Sequence, residues 1–540
     1  MKLSTARRHP LHRGAAVAAT ILLACTTLPA NAAAPTVSLA AGTVAGNRAT
    51  VDGVALHEFH GIPYAAPPVG ALRWKPPQPV VPWSGVRKAQ RFGPRCMQRP
   101  VFSDMVFRSD GVSEDCLYLN VWAPAQTTGR KLPVLVYFYG GGYVAGDASE
   151  PRYDGASMAA RGIVTVTVNY RLGVFGFLAL PALAAESPQH AAGNYGLLDQ
   201  NAALHWVRRN IARFGGDPGK ITIGGESAGS MSVSALMASP LSRDVIAGAI
   251  GESGALIAPL APLSLDVAQQ RGEKFMAQVG VDSLAALRAM PADALLQATA
   301  HKSTPRFAPD IDGYFLTEPP ATTFARGAQA AVPLLLGSNS QEGSYVGLLG
   351  GQAPTPANYR AALERLFGAQ APRALALYPG NDEDAVKRSG TALAGDMFIA
   401  HSTWRWMELH RHVGDVPVYF YYYDQPRPAK RQPAAGETAD AGAVHSAEIE
   451  YALGNLDGNP VYAWTADDRE TSRLLQGYFA RFIKHGNPNG EGLPRWPAVA
   501  ESGGGLWRQT IDARPRSVVD NGAARQAFLQ EFYASHPGAL

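Results

Sequence analysis

The sequence of 540 residues has little cysteine and little net charge. Its three cysteines form no CxxC pair and no histidine-rich cluster accompanies them, so the sequence predicts no metal site. The formal net charge is +4, but residues 1–34 hold four basic and no acidic residues, which leaves 44 of each sign in the remainder. This balance gives no indication that the protein binds nucleic acid or an anionic membrane surface.

A hydrophobic run long enough to span a membrane is also missing from the N-terminal segment. The apolar run "AAVAATILLACTTL" (15–28) has 14 residues, whereas a transmembrane helix needs about 20. Basic residues precede the run, and Ala30-Asn31-Ala32 follows it as a small-residue cleavage motif. We therefore predict a cleaved export signal in residues 1–34. Residues 35–540 are predicted to form a single domain, periplasmic or secreted, without an integral membrane segment.

Two features of the leader leave the export route open. The pair Arg7-Arg8 is a weak sign of twin-arginine export, and "LLAC", which ends at Cys25, loosely resembles a lipoprotein box. The other two cysteines, Cys96 and Cys116, lie 20 positions apart. In an exported chain such a pair is expected to form a disulfide, and two unpaired buried thiols are the alternative.

Five segments are predicted as buried strands, because they are near-continuous apolar runs rich in β-branched and aromatic residues. These segments are 132–139, 162–170, 220–225, 331–339 and 416–424. Apolar residues at three- and four-residue spacing over 194–216 predict an amphipathic helix that ends at a Gly-Gly pair. Strands that alternate with helices predict an α/β fold with a large, mostly parallel central sheet flanked by helices. The Ala-, Pro- and Leu-rich segment 255–330 is predicted as a helical insertion.

A serine between glycines, in "GGESAGS" (224–230), follows one predicted strand and begins a predicted helix of small residues (227–239). Ser227 therefore lies at the strand–turn–helix junction that is typical of a nucleophile elbow. Small residues let the strand and the helix pass closely, and the helix N-terminus favours a developing negative charge. We predict that Ser227 is a catalytic nucleophile.

A serine nucleophile needs a base, and the base needs an orienting carboxylate; on this fold the order is serine, acid, histidine. Glu342 follows the predicted strand 331–339, and His445 lies in a loop after the tyrosine-rich strand 416–424. These two residues are the predicted acid and base. Taken singly, a solvated loop glutamate and an ordinary surface or core histidine are the alternatives.

Three consecutive glycines, Gly140, Gly141 and Gly142, follow the first predicted strand. Such a run lets backbone N–H groups turn toward a substrate oxygen without obstruction by side chains. Together with the N–H of Ala228 it predicts an oxyanion hole, and a plain flexible turn is the alternative.

Read together, these residues resemble the type-B carboxylesterase family, which includes the cholinesterases and has the α/β-hydrolase fold. The resemblance runs over most of the chain, and the block from 193 to 230 is its strongest part. The matching stretches are "GIPYAAPPVGALRWKPPQP" (61–79), "SEDCLYLNVW" (113–122), "NYRLGVFGFL" (169–178), "GNYGLLDQNAALHWVRRNIARFGGDPGKITIGGESAGS" (193–230), "EGSY" (342–345), "VHSAEIEY" (444–451) and "HGNPN" (485–489).

The resemblance implies hydrolysis of a small-molecule carboxylic ester, with no metal and no cofactor. It assigns the nucleophile, acid and base to Ser227, Glu342 and His445. It assigns the oxyanion donors to Gly141, Gly142 and Ala228. It also implies a disulfide between Cys96 and Cys116.

The loop 97–115 departs from the cholinesterases, which place a tryptophan there to hold a quaternary ammonium group by cation–π attraction. The loop has no tryptophan, so choline esters are not expected as substrates. It carries Arg99 and Arg108, which suggest esters that bear carboxylates, as for the fumonisin esterases of the family. Pairing of these arginines with Asp104 and Asp110 is an equal alternative.

Two other functions stay open at this point. Neuroligin-like members of the family are non-catalytic interaction modules that have lost the serine, and lipases with interfacial activation differ in their substrate. Phe398 is a candidate aromatic residue of the substrate pocket, with core packing as the alternative. The sequence does not fix the acyl group, the alcohol group or the oligomeric state.

Overall fold

The computed structural model describes residues 33–126, 129–434, 439–501 and 505–536. The predicted export signal, with Cys25, lies outside these residues except for Ala33 and Ala34. Residues Pro35–Leu540 form one unit of mutually contacting residues. The main sheet of the described residues has eleven strands: β1 (Asn47–Val51), β2 (Val54–Pro63), β3 (Tyr118–Pro124), β4 (Leu132–Phe138), β5 (Val164–Val168), β6 (Gly216–Glu226), β7 (Gly248–Glu252), β8 (Leu334–Asn339), β9 (Val418–Tyr423), β10 (Trp507–Ile511) and β11 (Arg516–Val519).

The strand order across this sheet is β11-β10-β9-β8-β7-β6-β4-β5-β3-β2-β1. Seven neighbouring strands, from β10 to β5, are parallel to one another. Both edges are antiparallel, through β11 on one side and through β3, β2 and β1 on the other. This arrangement confirms the predicted α/β class with a large, mostly parallel central sheet.

The central strands are buried on both faces. Every residue of β5 and of β7 is buried, and β4 is buried from Val134 onward. Helices cover both faces of a parallel sheet, because each crossover between parallel strands has to return over one face. Burial on both faces explains the near-continuous apolar runs of the sequence.

Seventeen α-helices occur in the described residues. They are α1 (Ala156–Ala160), α2 (Gly173–Phe177), α3 (Pro181–Glu186), α4 (Tyr195–Asn210), α5 (Ala228–Ala238), α6 (Leu265–Gln278), α7 (Leu284–Ala289), α8 (Ala292–Ala298), α9 (Pro320–Ala325), α10 (Tyr345–Leu348), α11 (Pro356–Phe367), α12 (Ala371–Leu377), α13 (Glu383–Gly395), α14 (His401–His410), α15 (Ile449–Leu453), α16 (Ala466–His485) and α17 (Ala523–Ser535). Short 3₁₀ turns cover Gly70–Leu72, Pro151–Tyr153, Ile211–Phe214, Arg243–Val245, Gly368–Gln370 and Leu456–Gly458, and a π-helical turn covers Asp396–Ala400. None of these helices is both long enough and apolar enough to cross a membrane.

The predicted helices are present with shorter bounds. α4 ends at Asn210, and a 3₁₀ turn carries the chain to Gly215, whose φ of 86° stops the helix. The predicted insertion 255–330 contains α6 to α9, as expected, together with a small parallel pair of strands, Leu263–Ser264 and Asp310–Ile311.

A disulfide joins Cys96 to Cys116, as predicted, with their Cα atoms 5.0 Å apart. Both cysteines are buried, and a short parallel pair, Arg95–Cys96 with Val112–Ser113, closes the base of the loop between them. A three-stranded sheet of Thr36–Leu39, Gly42–Ala45 and Val86–Lys88 lies outside the main sheet.

Replacing Cys96 and Cys116 together by serine is expected to lower the free energy of unfolding by about 3 kcal/mol, because a bridge across 20 residues restricts the unfolded chain. Urea denaturation measures the change. Reductant should shift the parent protein toward the double variant and leave the double variant itself unaffected. An unchanged urea midpoint would show that the bridge contributes nothing to stability.

Candidate active site

Ser227 lies in the turn between β6 and α5. Its φ of 55° and ψ of −120° are not helical, so the helix begins one residue later than the sequence predicts, at Ala228. The backbone N–H of Ser227 donates to the carbonyl of Glu252 at the end of β7, with an N–O distance of 2.8 Å. A non-glycine residue in this region of φ is strained, and such strain is common at functional sites.

Two glycines make this turn possible. A Cβ on Gly229 would overlap the carbonyl oxygen of Phe138 on β4, and a Cβ on Gly225 would lie 2.6 Å from the carbonyl carbon of Gly229. The strand and the helix therefore pass too closely for any side chain at these two positions. This is the close packing that the G-x-S-x-G spacing predicts.

The structure brings Ser227, His445 and Glu342 together in one chain of hydrogen bonds. The Nε2 atom of His445 lies 3.0 Å from the Oγ atom of Ser227, and the Nδ1 atom lies 2.6 Å from an Oε atom of Glu342. Glu342 is buried, and its other Oε atom accepts from the backbone N–H of Asn339 at 2.7 Å and from the hydroxyl of Ser253.

The loops that carry the acid and the histidine follow adjacent parallel strands, β8 and β9. The carboxyl ends of parallel strands meet at one edge of the sheet, which is where ligands bind in folds of this class. The two loops are joined by a hydrogen bond from Gln341 N to Ala443 O at 2.9 Å. This contact holds His445 beside Glu342.

A second carboxylate lies against the histidine. Glu226 directly precedes the serine and is 2% exposed, and its Oε1 atom lies 3.2 Å from the Nε2 atom of His445. Behind it, Glu252 accepts from the Tyr137 hydroxyl at 2.8 Å, and Glu448 accepts from the Asn339 amide at 2.6 Å. These carboxylates were not predicted as site residues, although Glu226 and Glu448 lie inside the matching stretches that end in "GGESAGS" and span "VHSAEIEY".

The carboxylates determine the charge balance around the imidazole. Burial alone would lower the pKa of His445, but the charges of Glu226 and Glu342 outweigh burial and raise that pKa above its ordinary value. Burial raises the pKa of Glu226, and the positive charge of His445 opposes this increase. The site therefore favours the protonated imidazole, which is the form that a histidine takes after it accepts a proton.

The three predicted oxyanion donors lie around the serine. Gly141 and Gly142 line the same cavity as Ser227, and their φ values of 104° and 61° lie in the left-handed region that favours glycine. Ala228 is the first residue of α5. Within the described residues, the N–H groups of Gly141, Gly142 and Ala228 have no backbone or side-chain acceptor. These amides can receive a negatively charged oxygen.

The Ser227 cavity, as we call the space above the serine, has a volume of about 710 Å³. Phe398 lies in its wall, half-exposed, with its ring centroid 5.2 Å from that of His445 in an edge-to-face arrangement. Its wall combines polar and charged side chains, Asp104 among them, with apolar side chains that include Phe102, Met105, Val144, Met231 and Leu260. A cavity with apolar walls and polar groups beside a reactive side chain is typical of a site for a small molecule.

The two arginines that the sequence singled out do not line this cavity. The Nε atom of Arg108 donates to the carbonyl of Ser149 at 2.6 Å, and its Nη1 atom pairs with Asp154 at 2.7 Å. Arg99 lines a separate, adjoining cavity. The alternative pairing also differs, because Asp104 pairs with Arg152 and Asp110 with Arg91.

Three other arginines line the Ser227 cavity, namely Arg152, Arg306 and Arg427. They come from the segments after β4, α8 and β9, at least 100 residues apart along the chain. The sequence carries no local signal that these segments converge.

The chain matches the family model described as "Carboxylesterase family" over residues 33–516. It is 36% identical to the fumonisin B1 esterase of Sphingopyxis macrogoltabida over 522 residues, which cover 92% of this chain and 91% of the relative. It is also 36% identical to carboxylesterase 5A of Canis lupus familiaris, covering 89% of this chain and 87% of the relative. The para-nitrobenzyl esterase of Bacillus subtilis (strain 168) is 34% identical, with coverage of 86% and 93%.

These matches span nearly the whole chain, and they confirm the resemblance and the α/β-hydrolase fold that it implies. The relatives are enzymes that hydrolyse carboxylic esters. The chain therefore belongs to the carboxylesterase family and is a carboxylic ester hydrolase.

Proposed function

We propose that the protein hydrolyses esters through an acyl-enzyme on Ser227, with His445 as the general base and Glu342 as its orienting carboxylate. The observation that carries this proposal is the unbroken series of hydrogen bonds from Ser227 Oγ through His445 to Glu342, at 3.0 Å and 2.6 Å. The first distance lies within the range in which a base takes a proton from a nucleophile. The second is that of a short hydrogen bond from the imidazole to a carboxylate.

In the first half of the reaction, His445 Nε2 accepts the Ser227 proton while the Oγ atom bonds to the ester carbonyl carbon. The carbonyl oxygen becomes an oxyanion, which the N–H groups of Gly141, Gly142 and Ala228 hold. The oxyanion then re-forms the carbonyl, the bond to the alkoxy oxygen breaks, and His445 gives its proton to the departing alcohol. Ser227 is left as an ester of the acyl group.

In the second half, a water molecule gives a proton to His445 and attacks the acyl carbon. The tetrahedral oxyanion forms in the same place, the bond to Ser227 Oγ breaks, and His445 returns the proton to that oxygen. The free acid and the serine hydroxyl are the products. Glu342 keeps the Nδ1 proton in place throughout, so that Nε2 is the accepting atom.

The preferred substrates are, in this proposal, esters that bear carboxylates. Similarity to a fumonisin B1 esterase over nine-tenths of both chains supports this choice. Arg306 supports it too, because it lines the Ser227 cavity and, among the described residues, forms no ion pair with a carboxylate. A guanidinium group pairs with a carboxylate through two parallel hydrogen bonds, which makes arginine well suited to the task.

We also propose that the protein acts outside the cytoplasm. The Cys96–Cys116 disulfide supports this, because such bridges persist in oxidising compartments. The basic and apolar pattern of residues 1–34 supports it independently.

A fluorophosphonate probe tests the proposed chemistry, because it phosphonylates only an activated serine. We expect stoichiometric labelling that peptide mass spectrometry places on Ser227, and competition by ester substrates. A non-catalytic, neuroligin-like protein would not react, and this outcome would contradict the proposal. A lipase would react but would show a jump in rate above the solubility limit of a long-chain ester.

A further inference from the structure

Glu252 contacts the proposed nucleophile through its backbone and the interior of the protein through its side chain. Its carbonyl oxygen accepts from the N–H of Ser227 at 2.8 Å. Its side chain is fully buried, and the Oε1 atom accepts from the hydroxyl of Tyr137 at 2.8 Å. Neither side chain takes part in the proposed acyl transfer, so the hydrogen bond between them needs another explanation.

The hydrogen bond between Tyr137 and Glu252 spans a whole strand. β6 lies between β4, which carries Tyr137, and β7, which ends at Glu252. Tyr137 is opposite Gly224 of β6, and Gly224 is in turn opposite Ile250 of β7, so these residues share one face of the sheet. A Cβ atom on Gly224 would lie 3.3 Å from the ring of Tyr137. The ring therefore passes over a position of β6 that has no side chain, and its hydroxyl ties β4 to β7.

On the β4 side, the contacts continue to the glycine run. The rings of Tyr137 and Tyr153 have centroids 5.4 Å apart, and both residues are buried. The hydroxyl of Tyr153 accepts from the N–H of Gly140 at 3.4 Å. Gly140 is the first glycine of the run that supplies two of the proposed oxyanion donors. A continuous buried path therefore joins the turn of Ser227 to the loop of these donors.

The side chain of Glu252 has no positively charged partner. Within the described residues it forms no ion pair, and its Oε2 atom forms no hydrogen bond. Burial and the negative charges of Glu448 and Glu226 raise the pKa of Glu252 well above its ordinary value, although the hydrogen bond from Tyr137 opposes the increase. The charge of Glu252 in turn raises the pKa of Tyr421, so its titratable neighbours are all acids. A buried carboxylate without a cation is costly, and this environment therefore favours the uncharged carboxylic acid.

We propose that Glu252 is a positioning residue, which holds Ser227 at the correct distance from the oxyanion donors as an uncharged carboxylic acid bonded to Tyr137. It acts through the ends of the strands that carry the nucleophile and the glycine run, without contact with the substrate. This inference rests on the proposed acyl-enzyme function and adds a residue to it. Because the oxyanion forms only in the transition state, loss of the positioning should lower kcat and leave KM nearly unchanged.

Three substitutions separate the hydrogen bond from the charge. Tyr137→Phe removes the hydroxyl and keeps the ring, and we expect kcat to fall roughly tenfold to 100-fold, since a misplacement of about 1 Å costs up to about 100-fold. Glu252→Leu should give a similar loss, and the double variant should lose little more, because both changes break the same hydrogen bond. Glu252→Gln keeps the acceptor oxygen and the uncharged state, so its kcat should stay near the parental value.

The measured quantity is kcat per active site, with the active sites titrated by the fluorophosphonate in a reaction run to completion. This normalisation removes any loss of folded protein. Tyr359→Phe is the matched control, because Tyr359 on α11 is also buried and its hydroxyl donates to the carbonyl of Tyr378 at 3.0 Å, in a different cluster of buried apolar residues. The urea midpoint of this control should fall about as much as that of Tyr137→Phe, yet its kcat should stay parental.

The infrared difference spectrum between the parent protein and Glu252→Gln tests the protonation state. The parent should show the C=O stretching band of a carboxylic acid, which shifts in D₂O and is absent from the variant. A carboxylate band in its place would overturn the uncharged state.

Parental kcat per active site in both Tyr137→Phe and Glu252→Leu would overturn the positioning role. A loss in Glu252→Gln as large as that in Glu252→Leu would overturn it too, because the retained hydrogen bond would then be without effect. Failure of the proposed function appears differently, as absence of fluorophosphonate labelling in the parent protein.

Discussion

Ser227→Ala is expected to lower kcat by roughly 10⁴-fold or more, because it removes the atom that forms the acyl-enzyme. The oxyanion donors and the cavity remain in this variant, so some rate enhancement over water is retained. Substrate binding should change little, since the hydroxyl is small and alanine fits the same turn. The measurement is steady-state hydrolysis of a 4-nitrophenyl ester at saturating concentration.

A serine at the other end of the same helix provides the matched control. Ser239 is fully buried and follows the last residue of α5, where its hydroxyl accepts from Leu241 N. Ser239→Ala should keep the parental kcat. Parental turnover by Ser227→Ala would instead show that another group attacks the ester and that the proposed triad is wrong.

The central strands were predictable because strands that are buried on both faces consist of nearly continuous apolar residues. The runs at 132–139 and 162–170 correspond to β4 and β5, which helices cover on both faces. β7 has no such apolar run, since its sequence "GAIGE" contains two glycines and a glutamate. Residues of this kind have low strand propensity, and tertiary packing alone places them in the sheet. β7 is nevertheless the strand whose carbonyl at Glu252 holds Ser227 in place.

The edge strand β1 was not predicted, for a different reason. β1 alternates between half-buried and exposed residues, and its sequence "NRATV" is short and polar. Period-two alternation over five residues is too weak a signal to separate from a loop. No predicted site residue lies on β1, so this omission had no effect on the predicted site.

Residues of the site were predictable where local sequence determines local geometry. The glycines around Ser227 are required by a contact that their own turn makes with Phe138, and the order of acid and histidine follows from the order of the strands. The direction of a side chain was not predictable in the same way. Arg108 was placed in the pocket because of its loop, yet it turns to Asp154, 46 residues away in the chain. Arg306 was missed because its neighbour Gly142 is 164 residues away.

Glu342→Gln is expected to lower kcat roughly 10⁴-fold, nearly as much as loss of the serine. The carboxylate accepts the Nδ1 proton of His445 at 2.6 Å, and this leaves Nε2 free to accept from Ser227. Glutamine presents an N–H donor that stabilises the opposite tautomer, in which Nε2 carries the proton. The imidazole is then unable to act as a base, although its position is kept.

Glu226→Gln is the control variant. It separates the effect of a carboxylate on the tautomer of His445 from the effect of its negative charge on the pKa of His445. Its carboxylate lies 3.2 Å from the same imidazole but on the Nε2 side, so it does not fix the Nδ1 proton. Its negative charge raises the pKa of His445, and the neutral imidazole is the active base. Removing that charge lowers the pKa, so the acidic limb of the pH profile of kcat/KM should move to lower pH by about one unit or more.

The comparison of the two variants determines which carboxylate orients the base. We expect kcat of Glu226→Gln, at the pH optimum of each protein, to fall no more than about 100-fold, well short of the loss in Glu342→Gln. Equal losses would mean that both carboxylates stabilise the imidazolium and that neither sets the tautomer. A larger loss in Glu226→Gln would transfer the orienting role to the residue beside the serine, and the hydrogen bond to Glu342 would then be structural.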